Sequence, residues 1–85
     1  MKFIIIWPDS VIEQLAKLDR SIAKRIYEAV SRLESDPSRW VSRIVNSPYY
    51  KLRVGDYRVI LDIQANQLRV LVVRVGHRKN IYKNM

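Results

Sequence analysis

From Lys51 to Arg58 the chain reads KLRVGDYR, three cations around one turn. Gly55-Asp56 suits a two-residue hairpin turn of type I′ or II′. Such a turn pairs Val54 with Tyr57, Arg53 with Arg58, Leu52 with Val59 and Lys51 with Ile60. Side chains alternate across a strand, so Lys51, Arg53 and Arg58 share one face. Like charges directly opposite each other destabilise a sheet, by a few tenths to about 1 kcal/mol. An anion from outside would remove that penalty. Guanidinium forks grip phosphate through paired N–H donors. Phosphate is therefore the first expectation for what this hairpin meets.

The ending VGHRKNIYKNM adds His77, Arg78, Lys79, Tyr82 and Lys83 near the cationic end. His77 is the only histidine and there is no cysteine, so no metal-ligand spacing is present. A P-loop, a glycine-rich dinucleotide turn and a Ser, His, Asp order are all missing. From residue 51 onward the only carboxylate side chains are Asp56 and Asp62, too few for a two-metal nuclease. Phosphate chemistry here would be metal-free, and no cofactor is expected.

Sixteen Lys/Arg against eight Asp/Glu give a net charge of +8. Residues 1–50 hold eight and six of these, net +2, and residues 51–85 hold eight and two, net +6. A basic half of this kind points to a polyanion, nucleic acid above all. A chain of 85 residues is expected to form one domain spanning 1–85. Its hydrophobic content of 48% suffices for a globular core and speaks against disorder. The apolar start MKFIIIW meets Pro8-Asp9 too soon for a signal peptide or a membrane span. The expectation is a soluble, cytoplasmic protein with no membrane partner, and the missing cysteines suit a reducing compartment.

The elements that must position these residues can be read from periodicity. KFIIIW (2–7) is short, continuous and β-branched, which reads as a buried strand. Pro8-Asp9 ends it and opens a helix with Asp9 or Ser10 as N-cap. Val11, Leu15 and Leu18 make its apolar stripe. Asp19 or Ser21 caps a second helix with Ile22, Ile26, Ala29, Val30 and Leu33 on one face and Lys24, Arg25, Glu28 and Arg32 largely off it. Asp36-Pro37 stops it, because the residue before proline avoids the α region. So short a link between the helices predicts an antiparallel helical hairpin. Residues 37–48 read as a loop that Trp40 and Val41 anchor to the core. Three strands complete the chain: one from Tyr49, then YRVILDIQ, then LRVLVVRV. Strand, helix, helix, strand, strand, strand is an α+β class, an antiparallel meander with helices packed on one sheet face.

The hairpin register puts Tyr50, Leu52, Val54, Tyr57, Val59, Leu61 and Ile63 on the helix side. With Ala65-Asn66 as a second two-residue turn, Asp62 opposes Arg69, Ile60 opposes Leu71 and Arg58 opposes Val73. Asp62 is then taken, and no carboxylate on that face is left for Arg53 and Arg58. Ile60, Leu71, Val73 and Val75 form an apolar patch beside them, covered by a partner or by the chain's own loop or tail.

The segment YYKLRVGDYRVILDI, followed by LRVLVVRVGHRKNIYK, resembles the RelE/ParE superfamily of toxins from bacterial and archaeal toxin–antitoxin pairs, in its RelE-like branch. The R-V-G-x-Y-R hairpin and the V-x-H-R-x-x-I-Y ending carry the likeness. LAKLDRSIAKRIYEAVSRLESDP is similar to the superfamily's helical hairpin. The resemblance implies a metal-independent endoribonuclease that cuts mRNA in the ribosomal A site. The 2′-hydroxyl attacks the adjacent phosphate and leaves a 2′,3′-cyclic phosphate.

Residue by residue, the likeness implies catalytic roles for Lys51, Arg58, Arg78 and Tyr82. It implies RNA contacts for Arg53, His77, Lys79 and Lys83. Arg53 stands where the best-known RelE branch has lysine. Arg58 and Arg78 would clamp the scissile phosphate. Lys51 and Tyr82 are both candidates for proton transfer, with His77 able to share the part of Tyr82; acid and base stay unassigned. The implied partners are the ribosome, mRNA and a RelB-like antitoxin. A short acidic and apolar antitoxin segment would cover Ile60, Leu71 and Val73, in a complex of higher order such as a heterotetramer. The alternatives are a ParE-like toxin that inhibits DNA gyrase by binding and cuts nothing, and a generic RNA-binding domain with strong salt dependence.

Overall fold

The computed structural model describes residues 2–83. Strand β1 (Ile4–Ile6) leads to Pro8, whose extended backbone (φ −62°, ψ 154°) caps helix α1 (Asp9–Ala16). The Pro8 carbonyl accepts the N–H groups of Val11 and Ile12 at 3.0 and 3.1 Å. Neither Asp9 nor Ser10 is the cap. Both lie inside the first turn, where the Asp9 carboxylate still favours the positive helix end. Helix α2 (Arg20–Ser31) starts after Asp19, its N-cap by position but without a side-chain capping bond. The chain then tightens into 3₁₀ turns at Arg32–Glu34 and Pro37–Arg39, so Asp36-Pro37 does separate the helical segment from the next turn.

Four strands complete the fold: β2 (Val41–Arg43), β3 (Tyr50–Val54), β4 (Tyr57–Gln64) and β5 (Arg69–His77). The five strands form one sheet in the order β1-β5-β4-β3-β2. β1 runs parallel to β5, and the other neighbours are antiparallel. The α+β class and the meander are as expected. β2 falls in the stretch read as a loop. Val-Ser-Arg has a single apolar side chain and too little alternation to announce a strand. Pairing with β3, Val41 opposite Leu52, makes it one.

Helix residues Val11, Ile26, Ala29, Val30 and Leu33 pack on Leu52, Val59, Leu61, Val70, Val72 and Val75. The alternation read from β3 and β4 therefore holds, and one sheet face is left open. β1 pairs only with Arg69–Leu71. Further along β5, Gln14 Oε1 on α1 accepts the Val75 N–H at 2.8 Å.

The β4–β5 register differs from expectation in two places. Ala65–Gln67 forms a 3₁₀ turn and Leu68 takes a left-handed backbone (φ 53°), so four residues join the strands. A two-residue primed turn needs a left-handed first residue, which alanine at 65 disfavours. Gln64 consequently opposes Arg69, and Asp62 opposes Leu71. Asp62 does not pair with Arg69. It accepts from Gln64 Nε2 at 3.0 Å, while Arg69 donates to Gln67 Oε1 at 3.0 Å. The second difference is a β-bulge. Leu61 opposes Val72 but Ile60 opposes Arg74, leaving Val73 as the extra residue. Strict alternation after Val70 and Val72 would drive Arg74 under the helices. The bulge turns Arg74 to the open face and carries Val75 into the core, out of the expected apolar patch.

Candidate functional site

The β3–β4 turn is built on Gly55, the one glycine with a left-handed backbone (φ 59°). Asp56 keeps a negative φ, the pattern of a type II′ turn. The turn fixes the register read from the sequence, with Arg53 opposite Arg58. Gly76 of β5 lies on the other side of Arg58. One row across the open face is thus Arg53, Arg58, Gly76, and the next is Lys51, Ile60, Arg74.

Arg58 Nη1 donates to the carbonyls of Gly55 at 3.0 Å and Tyr57 at 2.8 Å. These bonds draw the guanidinium to the turn and offset its repulsion from Arg53. The Arg78 N–H donates to the Asp56 carbonyl at 2.8 Å, which brings Arg78 to the same turn. Its Nε lies 3.9 Å from Asp56 Oδ1, the one ion pair among the described residues. Both partners are exposed, and such a pair contributes little. Arg53, Arg58 and Arg78 therefore gather at one turn with a single weak carboxylate contact, a strongly positive surface for an anion. No three His, Asp or Glu side chains converge among the described residues.

The tail after β5 folds back over the open face. The Asn80 and Ile81 N–H groups donate to the His77 carbonyl at 2.9 and 3.0 Å. Ile81 is 2% exposed and packs on Gly76, where an added Cβ would lie 3.1 Å from Ile81 Cδ1. Arg74 Nη1 donates to the carbonyls of Ile81 and Lys83 at 3.1 and 2.8 Å. Ile60 and Ile81 are both buried yet outside the helix-side core. Ile60 therefore presents no exposed surface to an antitoxin. Leu71 and Val73 remain half-buried on the open face.

The other residues singled out from the sequence are dispersed. His77 opposes Tyr57 on the helix side of the sheet, with the rings edge-on at 5.5 Å. Its Nδ1 accepts the Lys79 N–H at 3.2 Å, so it does not join the Arg58 row. Lys79 and Lys83 are exposed on the tail. Tyr82 borders a groove of about 670 Å³ with Val73, Arg74, Tyr49 and the loop before it, away from the turn that gathers the arginines. Lys51 is half-buried on the row next to that turn.

One contributor escaped the sequence reading, and one residue it named takes a different place. Arg74 was legible only as a conflict: a cation at a position that strict alternation would bury, which is the mark of a bulge. Trp40 does not anchor its loop. It is 44% exposed, with the Arg32 and Arg39 guanidinium carbons 5.7 and 5.3 Å from its ring centre. Val41 takes the inward position beside it and packs on the core.

The family described as "ParE toxin of type II toxin-antitoxin system, parDE" matches residues 5–82. The chain belongs to this ParE toxin family. It is accordingly a toxin of a toxin–antitoxin pair within the RelE/ParE superfamily, as its hairpin and ending suggested. Among solved structures, it is similar to one chain of a RelBE toxin–antitoxin complex from Mycobacterium tuberculosis. That match has 25% identity and a TM-score of 0.80, covering 92% of the toxin described here and 100% of the other chain. A chain of the archaeal RelE–RelB complex from Pyrococcus horikoshii matches at 22% identity and TM-score 0.79, covering 94% and 99%. One from the RelB–RelE complex of Methanococcus jannaschii matches at 22% and 0.71, covering 96% and 98%. These last two share the fold. Comparison with curated proteins finds no match. Among the described residues, no helix of the toxin is long and apolar enough to cross a membrane.

Proposed function

We propose that the toxin is a ribosome-dependent, metal-independent mRNA endonuclease acting in the A site. The observation that carries this reading is the gathering of Arg53, Arg58 and Arg78 at one turn, with Lys51 and Arg74 on the adjoining row. An RNA 2′-hydroxyl attacks the neighbouring phosphorus. The O2′–P bond forms, the P–O5′ bond breaks, and a 2′,3′-cyclic phosphate and a 5′-hydroxyl result. A base takes the 2′ proton and an acid protonates O5′, so neither water nor metal enters the balance. The five-coordinate phosphorus carries extra negative charge, and cations held in advance stabilise it most. Arg58 uses one nitrogen to bond the turn, which preorganises the guanidinium and leaves its other donors for phosphate oxygens. Arg78 clamps from the far side of the turn and Arg53 orients the strand. Lys51, on the next row, and Tyr82, which lines a groove with Arg74 of that row, are the candidates for proton transfer. The partners are mRNA, the ribosome and a cognate RelB-like antitoxin, whose apolar segment would lie over Leu71 and Val73. The relatives solved together with antitoxins support that partner.

The test is a cell-free translation reaction with a defined mRNA, mapping new 3′ ends by primer extension. Cuts within the reading frame that need ribosomes are expected. Arg58→Ala should slow them by about 100-fold or more, the usual loss when one preorganised charge donor is removed. Intact mRNA with wild-type toxin that still arrests growth would reject the nuclease. The match to the ParE family favours a second reading, inhibition of DNA gyrase by binding alone. A supercoiling assay decides it: relaxed plasmid at toxin concentrations that leave mRNA whole establishes the gyrase reading.

A further inference from the structure

Helix α2 and strand β3 enclose a crevice of about 230 Å³ lined by Arg25, Arg32 and Arg53. Glu28 also lines it but makes no ion pair with them. The Arg25 guanidinium lies against the turn, with Nη2 3.4 Å from where a Cβ on Gly55 would sit. Arg58 bonds the Gly55 carbonyl. The crevice is thus continuous, through Gly55, with the arginines of the open face. At its other end Arg32 leans on the exposed Trp40, which Arg39 also approaches. A guanidinium over an exposed indole is held by only about 1 kcal/mol, so a nucleobase can take its place and free it for a phosphate.

We propose that this crevice and Trp40 form a second subsite for single-stranded RNA. Arg25, Arg32 and Arg53 hold phosphates that flank the reacting one, and a base stacks on Trp40. A cationic groove ending in an exposed aromatic is the arrangement that binds single strands without reading sequence. The subsite extends the nuclease reading above and rests on it for its ligand, RNA.

The experiment is equilibrium binding of a short, fluorescein-labelled, 2′-O-methylated RNA, which cannot be cut, across a range of salt concentrations. Single-strand binding loses about 0.7 in log–log salt slope for each phosphate contact removed, so Arg25→Gln with Arg32→Gln should lower the slope by about 1.4. Trp40→Ala should weaken binding about tenfold. Lys2→Gln with Lys17→Gln removes equal charge elsewhere on the surface and should leave the slope unchanged. All four glutamine substitutions keep helix-compatible or exposed positions, and circular dichroism checks folding. Absence of RNA binding by the wild type, an unchanged slope in the crevice variant, or an equal fall in the lysine variant would overturn the subsite. So would an antitoxin complex that depends on Arg25 and Arg32 when RNA binding does not. Uncut mRNA in the translation assay beside a slope that depends on Arg25 and Arg32 would remove the nuclease and uphold the subsite. Cut mRNA beside an unchanged slope would do the reverse.

Discussion

Arg74→Ala should release the tail while leaving the sheet intact. One nitrogen of Arg74 donates to two carbonyls, Ile81 at 3.1 Å and Lys83 at 2.8 Å. A hydrogen bond from a charged donor contributes about 1.5–3 kcal/mol where water is excluded, and less where it competes. The Ile81 bond is half-buried and the Lys83 bond is exposed. Their joint loss is then about 2 kcal/mol, which raises the equilibrium for local opening about 30-fold. The Ile81 N–H, bonded to the His77 carbonyl at 3.0 Å, reports that opening. Native-state hydrogen exchange at Ile81 should accelerate by about 30-fold, while Val59 and Leu61 in β4 report the global stability separately. Ile81→Ala removes a buried side chain and should destabilise by about 2–5 kcal/mol. The two substitutions act on the same tail, so the double variant should lose less than their sum. An Ile81 exchange rate within about threefold of wild type in Arg74→Ala would refute the claim that Arg74 holds the tail.

Gln14→Leu removes the acceptor of the Val75 N–H and should lower stability by about 1–3 kcal/mol in urea unfolding. An unchanged midpoint would mean that the N–H finds another partner. Arg53→Glu replaces a like-charged cross-strand pair with an opposite one and should stabilise by a few tenths to about 1 kcal/mol. The same variant should lose RNA cleavage, and retention of both activity and wild-type stability would contradict the role given to the arginine row. Gly55→Ala places a side chain on a left-handed backbone and should lower stability by about 1–2 kcal/mol in thermal unfolding. No change would mean that the turn can adopt another form.

Much of the fold was legible because periodicity and turn chemistry agree in this chain. Ile26, Val30 and Leu33 keep helical spacing, and all three are fully buried. Gly55 supplies the left-handed turn residue, and that alone sets Arg53 against Arg58 and places Lys51 on the same face. The cationic row could therefore be read before any coordinates. The short edge strand β2 could not, because three residues with one apolar side chain carry no periodic signal. The Asp9 and Ser10 caps failed for a local reason: Pro8 already provides the fixed φ and the carbonyl that begin α1.

Neighbours along the chain set the helix faces, the Gly55 turn, the identity of the cations and the family likeness of the hairpin and ending. Sequence was enough for these. The rest came from packing between distant segments. The longer β4–β5 connection and the bulge at Val73 shifted the pairing, and a strand's period of two sends every side chain after a bulge to the opposite face. That shift turned Arg74 to the open face, buried Val75 and let the tail fold onto Gly76 and Arg74. Arg25 and Arg32 reach the Gly55 turn and Trp40 only because α2 packs across β3. No local rule foretells such a meeting, because it depends on how separate elements dock and not on the residues beside them.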